Sequence, residues 1–261
     1  RQLEPAAATA RIAAGIVAAW PQARVITMGD HTYPRGARRE YERCYAPTWG
    51  VLNARTAPSP GNHDYRTADG APYYAYFEHY ARDPSARERG YYAFDLGAWR
   101  LYSLNSMLPV AGGTPQSAWL AGDLAASNAR CVLAYWHHPL FSSSFHGRRR
   151  SDRGRDVVGL WEVLEAHSAE LVVNGHAHMY ERFGPQRHDG ASAPNGLRQF
   201  VAGTGGASHD SARPPLANSE YLEADLFGVL VLVLRSNSYD WAFIGVDGVV
   251  RDASAAPTEC R

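Results

Sequence analysis

Four short motifs, each carrying histidine or aspartate and each placed directly after an apolar run, constrain this chain more than any other feature. They are Gly29-Asp30-His31-Thr32-Tyr33, Gly61-Asn62-His63-Asp64, Trp136-His137-His138-Pro139 and Gly175-His176-Ala177-His178. A short apolar run that stops at a glycine or a polar pair reads as a buried strand. Several strands ending in such side chains predict a shared site at the carboxyl edge of a sheet, where α/β folds bind ligands. Carboxylate and amide oxygens with imidazole nitrogens, and no neighbouring thiol, suit a divalent or trivalent metal that handles oxyanions. Metal-assisted hydrolysis is the chemistry that follows.

The rest of the chain supplies the elements such a site needs. Ala6 to Trp20 is alanine-rich, with Ile12, Ile16, Val17 and Trp20 on one helical stripe. Arg24 to Met28 reads as a strand, followed by a long Arg- and Tyr-rich loop from Asp30 to about Gly50. Tyr76 to Tyr80 reads as helix, and Tyr91 to Leu96 with Trp99 to Leu104 as paired strands about Gly97. A helix starts at Pro115, a strand runs from Arg130 to Trp136, and Ser142 to Arg155 is a polar loop. Val157 to His167 is an amphipathic helix and Leu171 to Asn174 a strand. Late strands are expected at Arg198 to Ala202, Phe227 to Leu234 and Tyr239 to Val246, the last two antiparallel, and Asp252 to Arg261 as a loose tail. No repeat or linker divides the 261 residues, so residues 1–261 are expected to form a single domain. Helices alternating with strands, then mainly strands, predict an α/β fold: a two-sheet sandwich of mixed sheets flanked by helices.

Composition narrows the function. The 26 basic and 26 acidic residues balance, so no global field favours nucleic acid or an anionic membrane. Every basic residue is arginine, which excludes a lysine nucleophile or Schiff base. No apolar run approaches the roughly 20 residues that span a bilayer. Cys44, Cys131 and Cys260 lie far apart and form no CxxC pair, so a thiolate zinc site is not expected. The chain opens at Arg1-Gln2-Leu3-Glu4 without a basic start and apolar core, the expectation being a cytosolic protein or one whose leader has been removed.

Taken singly, each motif also describes an ordinary turn. Together and in this order, Asp30, Asn62-His63, His137 and His176-x-His178 resemble the calcineurin-like metallophosphoesterase superfamily. Tyr33 and the run Gly175-His176-Ala177-His178-Met179-Tyr180-Glu181-Arg182 resemble more narrowly the purple acid phosphatases and their bacterial relatives. Gly203-Thr204-Gly205-Gly206 is similar to a late glycine turn of that family, so the resemblance runs from Val25 to about Gly206.

The resemblance implies a metallophosphatase-type two-sheet sandwich and two metal ions, iron paired with iron, zinc or manganese. Asp30 would bridge them, Asn62, His137 and His176 would complete one, and Tyr33 with His178 would hold the other. A Tyr33 phenolate suits ferric iron. His63 would donate a hydrogen bond or proton to the substrate, with Asp64 holding its tautomer. By their places near the motifs or in loops, His138, His146 and His209 are either substrate contacts or ordinary surface histidines, and Arg148, Arg149, Arg150, Arg153 and Arg155 form either a solvated loop or a lure for phosphate. The family's earlier block, a strand followed by Asp-x-Gly or Asp-x-His, has no counterpart between Arg1 and Trp20. The expectation is therefore that a first strand and one ligand are missing, or that one metal position is degenerate. The implied activity is hydrolysis of small phosphomonoesters by hydroxide generated at the dinuclear site, in a secreted or extracytoplasmic protein. The alternatives are a phosphodiesterase or nucleotide hydrolase of the same superfamily, and a non-catalytic binding protein.

Overall fold

The computed structural model describes residues 3–78, 89–145 and 157–261. In chain order the first elements are α1 (Leu3–Ala19), β1 (Val25–Met28), α2 (Arg38–Glu40), β2 (Thr56–Ser59), α3 (Ala71–Tyr76), β3 (Tyr92–Leu96), β4 (Trp99–Ser103) and α4 (Pro115–Ala126). There follow β5 (Cys131–Trp136), α5 (Val158–Ala166), β6 (Leu171–Asn174), β7 (Tyr180–Phe183), β8 (Arg198–Ala202) and β9 (Ser219–Glu223). The last are β10 (Gly228–Leu234), β11 (Ser238–Gly245), β12 (Val250–Ala253) and β13 (Thr258–Glu259).

Strand β5 shows why the layers stack as they do. All its residues are buried, so it must be covered on both faces. Cys131, Leu133 and Tyr135 enter one apolar cluster and Val132, Ala134 and Trp136 another, the alternation a strand imposes. On the second face lie Leu120 and Leu124 of α4 with Leu160, Trp161 and Leu164 of α5. On the first lie Tyr239, Trp241 and Phe243 of β11, joined by Leu230, Leu232 and Leu234 of β10 and by Ile26, Met28 and Ala57 of β1 and β2. Each fully buried side chain of this kind contributes about 1.5–3 kcal/mol. The result is a sandwich of mixed sheets with helices outside, as the sequence predicts.

The larger sheet has the strand order β3-β4-β5-β6-β8-β7-β9. Its centre, β4-β5-β6-β8, is parallel, and β3, β7 and β9 pair antiparallel at the flanks. The facing layer holds the parallel pair β1-β2 and a ladder of β10-β11-β12 with β13 on β11. Register then fixes the site. Met28 pairs with Ser59 and Trp136 with Asn174, so the four strands that precede the motifs end level in pairs. The two layers are tied at that edge by the His137 ring, whose Nδ1–H donates to the Met28 carbonyl at 2.6 Å.

Two expectations need correction. The segment from Asp252 to Arg261 is not a loose tail. β13 pairs with β11, Cys260 is disulfide-bonded to Cys131, and the Arg261 backbone N–H donates to Glu170 Oε1 at 3.1 Å. A two-residue strand and a bond spanning 129 residues leave no local signature. The loop after Asp30 is likewise not featureless. It carries α2 and two further helical turns, Tyr41–Tyr45 and Trp49–Arg55, ordered by an aromatic cluster of Tyr41, Tyr45, Tyr73 and Phe77. His146, the arginines from Arg148 to Arg155 and Tyr80 lie outside the described residues.

Candidate metal centre

The turns after β1 and β2 cross at contact distance. A Cβ on Gly29 would fall 2.5 Å from the Gly61 nitrogen, and one on Gly61 would fall 2.4 Å from the Asp30 nitrogen. Glycine is the residue type that permits this approach. The crossing delivers Asp30 and Asn62 to the same point. Asp30 has φ 54° and His176 φ 63°, left-handed conformations that cost an L side chain about 1–3 kcal/mol and cluster at functional sites.

The donor atoms gather in two groups that share one carboxylate oxygen. His137 Nε2 lies 2.9 Å from Asn62 Oδ1 and 3.1 Å from His176 Nδ1. His176 Nδ1 lies 3.1 Å from Asn62 Oδ1, and Asp30 Oδ2 lies 3.4 Å from His137 Nε2. The Tyr33 hydroxyl stands 3.3 Å from that same Oδ2, and His178 Nε2 lies 3.1 Å from the hydroxyl. The second oxygen, Oδ1, accepts the His63 backbone N–H at 2.7 Å. Hard oxygens and imidazole nitrogens converging from both layers fit a metal. So does His137 committing its other nitrogen to a backbone carbonyl, a usual orienting contact of ligating histidines.

The electrostatics differ from one donor to the next. Burial pushes the Asp30 carboxyl up, but the charge and hydrogen bond of His137, with help from His63, hold it well below the usual carboxylate range. Burial pulls His137 down, yet Asp30 and the Met28 carbonyl outweigh it and raise its pKa. A proton held between these two occupies the place a cation would take, so binding a cation there must release it. Burial, then the His137 charge, drops His176 to about 3, and burial also lowers His178. Both are thereby kept in the neutral form that ligates. Burial first, then Asp30 and Asp64, raise the Tyr33 phenol well above its ordinary value, so ionising it requires a neighbouring cation.

The remaining predicted residues fall in different places. His63 is half-buried beside Tyr33, ring centroids 4.5 Å apart. Its Nδ1–H donates to the Pro34 carbonyl at 2.7 Å, which fixes its tautomer. Asp64 does not do so, and that expectation is corrected. The Asp64 carboxylate is fully buried and accepts the backbone N–H groups of Asp30, His31 and Gly61 at 2.8, 3.1 and 2.9 Å. It also accepts the His31 ring and the Tyr41 hydroxyl at 3.0 and 2.6 Å. His138 turns its Nδ1 to Ser106 Oγ at 2.8 Å, and its ring lies tilted against that of His176 at 4.5 Å. His209 lies against Phe227 at 3.9 Å. Sequence reasoning missed Asp210, whose Oδ2 accepts the His178 backbone N–H at 3.0 Å and the Ser144 hydroxyl at 2.8 Å. An aspartate 32 residues beyond His178 carries no signal of that contact in its local sequence.

A sandwich of mixed sheets with this donor set at the strand ends is a metallophosphatase fold. Residues 6–180 match the calcineurin-like phosphoesterase family model, and the chain belongs to that family. It is similar to purple acid phosphatase 15 of Arabidopsis thaliana, 28% identical over 129 residues that cover 47% of this chain and 24% of that protein. Probable inactive purple acid phosphatase 9 of the same plant is 25% identical over 180 residues, 62% of this chain and 28% of that protein. The chain thus spans well under half the length of these curated relatives. Its fold is similar to that of purple acid phosphatase PPD1 from yellow lupin seeds, with TM-score 0.77 and 20% identity, covering 94% of this chain and 48% of that one. GAP50 of Plasmodium, described as the anchor in the inner membrane complex, has TM-score 0.69 at 11% identity, with 98% and 84% covered.

Proposed function

We propose that this chain is a metal-dependent phosphomonoesterase working at a dinuclear site. The observation that carries the reading is the Asp30 Oδ2 atom, shared between the Asn62/His137/His176 group and the Tyr33/His178 group. Asn62, His137, His176 and Asp30 would hold one cation, and Tyr33, His178 and Asp30 the other. When bound, such a pair polarises phosphoryl oxygens and acidifies water. Iron with iron, zinc or manganese suits these donors. His63, with Nδ1 committed to Pro34, presents Nε2 to the substrate for a hydrogen bond or proton. Because the Met28 contact orients His137 and the Asp210 contact holds the His178 turn, the ligands stand ready before any substrate arrives. A buried disulfide suits an oxidising compartment, which supports a secreted or extracytoplasmic protein.

The defining assay compares a phenyl phosphate monoester with the matching diester in the presence of Mn²⁺. Faster turnover of the monoester is the expected result; exclusive diester cleavage would move the chain to the phosphodiesterase reading, and no turnover of either to a binding protein. The two positions differ in donor number among the described residues, so the Asn62/His137/His176 side is expected to fill first on titration. Tyr33 has its own signature. Iron-loaded protein should absorb visible light through phenolate-to-iron charge transfer, and Tyr33→Phe should remove that band. A band that survives the substitution would show that Tyr33 is not a ligand.

A further inference from the structure

His31 sits between Asp30 and Thr32, yet its ring is turned away from the donor cluster. The side chain is 1% exposed and both nitrogens are committed. Nδ1–H donates to Asp64 Oδ2 at 3.0 Å, and Nε2 meets the Thr27 hydroxyl at 2.7 Å. Tyr45, Tyr73 and Phe77 wall the ring at centroid distances of 5.3, 5.4 and 4.7 Å. With both nitrogens occupied, His31 is not a ligand.

What it touches is the device that sets Asp30. Gly29 and Asp30 both have positive φ, 85° and 54°, and in the turn they form the N–H groups of Asp30 and His31 both donate to one anion. The anion is internal: it is the Asp64 carboxylate. The same carboxylate grips Gly61 N–H, so one buried charge locks the β1 turn to the β2 turn and fixes where Asp30 aims. Among the described residues His31 is the one imidazole hydrogen-bonded to that carboxylate, and Thr27, on the strand that leads into the turn, holds the imidazole in place.

We propose that His31 is a positioning residue that acts through Asp64 to hold the strained Asp30 turn in its metal-binding geometry. The inference rests on the metal reading given above. It is tested by titrating Mn²⁺ into the wild-type protein and into His31→Phe and His31→Asn, with thermal midpoints measured alongside. Phenylalanine suits the aromatic pocket but cannot donate; asparagine keeps an N–H near the Nδ1 position. His31→Phe is expected to bind Mn²⁺ about 10–100-fold more weakly, the usual cost of losing an outer partner of a metal site, with its midpoint nearly unchanged. His31→Asn is expected to recover most of the affinity. Wild-type affinity in His31→Phe would overturn the proposal, and so would equal weakening in both variants with equally lowered midpoints, which marks a packing role. Should His31→Phe not fold, Thr27→Val carries the test: undiminished Mn²⁺ affinity there overturns it as well. A wild-type protein that binds no Mn²⁺ would defeat the metal reading itself, and this inference with it.

Discussion

Replacing His176 with alanine is expected to weaken binding of the first cation more than about 100-fold, beyond the roughly 10–100-fold that outer partners cost, and to abolish phosphomonoester hydrolysis. The reason lies in its place among the donor atoms. Its Nδ1 faces Asn62 Oδ1 and His137 Nε2, the donors of one proposed position, and removing it leaves that position one nitrogen short, because the neighbouring His138 commits its Nδ1 to Ser106. The fold should tolerate the change. His176 is absent from the apolar clusters, and its left-handed φ of 63° strains alanine about as much as histidine. A midpoint close to wild type, with metal lost, is therefore the signature expected from calorimetry and elemental analysis together. His209→Ala is the control: its ring lies on Phe227, and its removal should leave metal content intact. Full occupancy and turnover in His176→Ala would end the assignment of the site.

The elements that reach this site were legible because each announces itself locally. β5 is an apolar run that stops at His137 and β6 one that closes on Asn174 before Gly175, and their ends were read within a residue or so. Which donor atoms meet was less legible, since that depends on how turns bend. His63 and Asp64 are neighbours in sequence, which suggests a partnership, but consecutive side chains in a tight turn diverge. Asp64 went to the backbone N–H groups of Asp30, His31 and Gly61, and the Pro34 carbonyl took the place beside His63. His31 shows the same limit in reverse. Its motif was noticed, but its contacts with Asp64, 33 residues on, and with the aromatic pocket belong to tertiary structure. The short flanking strands β7 and β9 escaped for another reason. Ser219-Glu220-Tyr221-Leu222-Glu223 has too little apolar content to read as a strand, and its pairing with β7 is what makes it one.

The opposite edge of the sheet gives a second large effect. Breaking the Cys131–Cys260 bond, by Cys260→Ala or by reduction, is expected to cost about 2–5 kcal/mol. The bond closes a loop with a sequence separation of 129, and closing so long a loop removes much of the unfolded chain's freedom, the upper part of the range following from that length. For a chain of this size the loss lowers the thermal midpoint by roughly 10 °C. The native contacts at that end would partly persist, because β13 still pairs with β11 and Arg261 with Glu170. Both cysteines are buried against the inter-sheet cluster, so reduction should require partial unfolding first. Cys131 opens β5 and His137 follows its end, which puts the bond about 20 Å from the metal ligands at a strand rise near 3.3 Å per residue. Mn²⁺ affinity at room temperature should therefore stay at its wild-type value while the midpoint falls. A variant that kept its midpoint would show the disulfide to be energetically idle. One that kept its midpoint but lost the metal would show that the two ends of β5 are coupled, contrary to the separation drawn here between the edge that binds and the edge that is pinned.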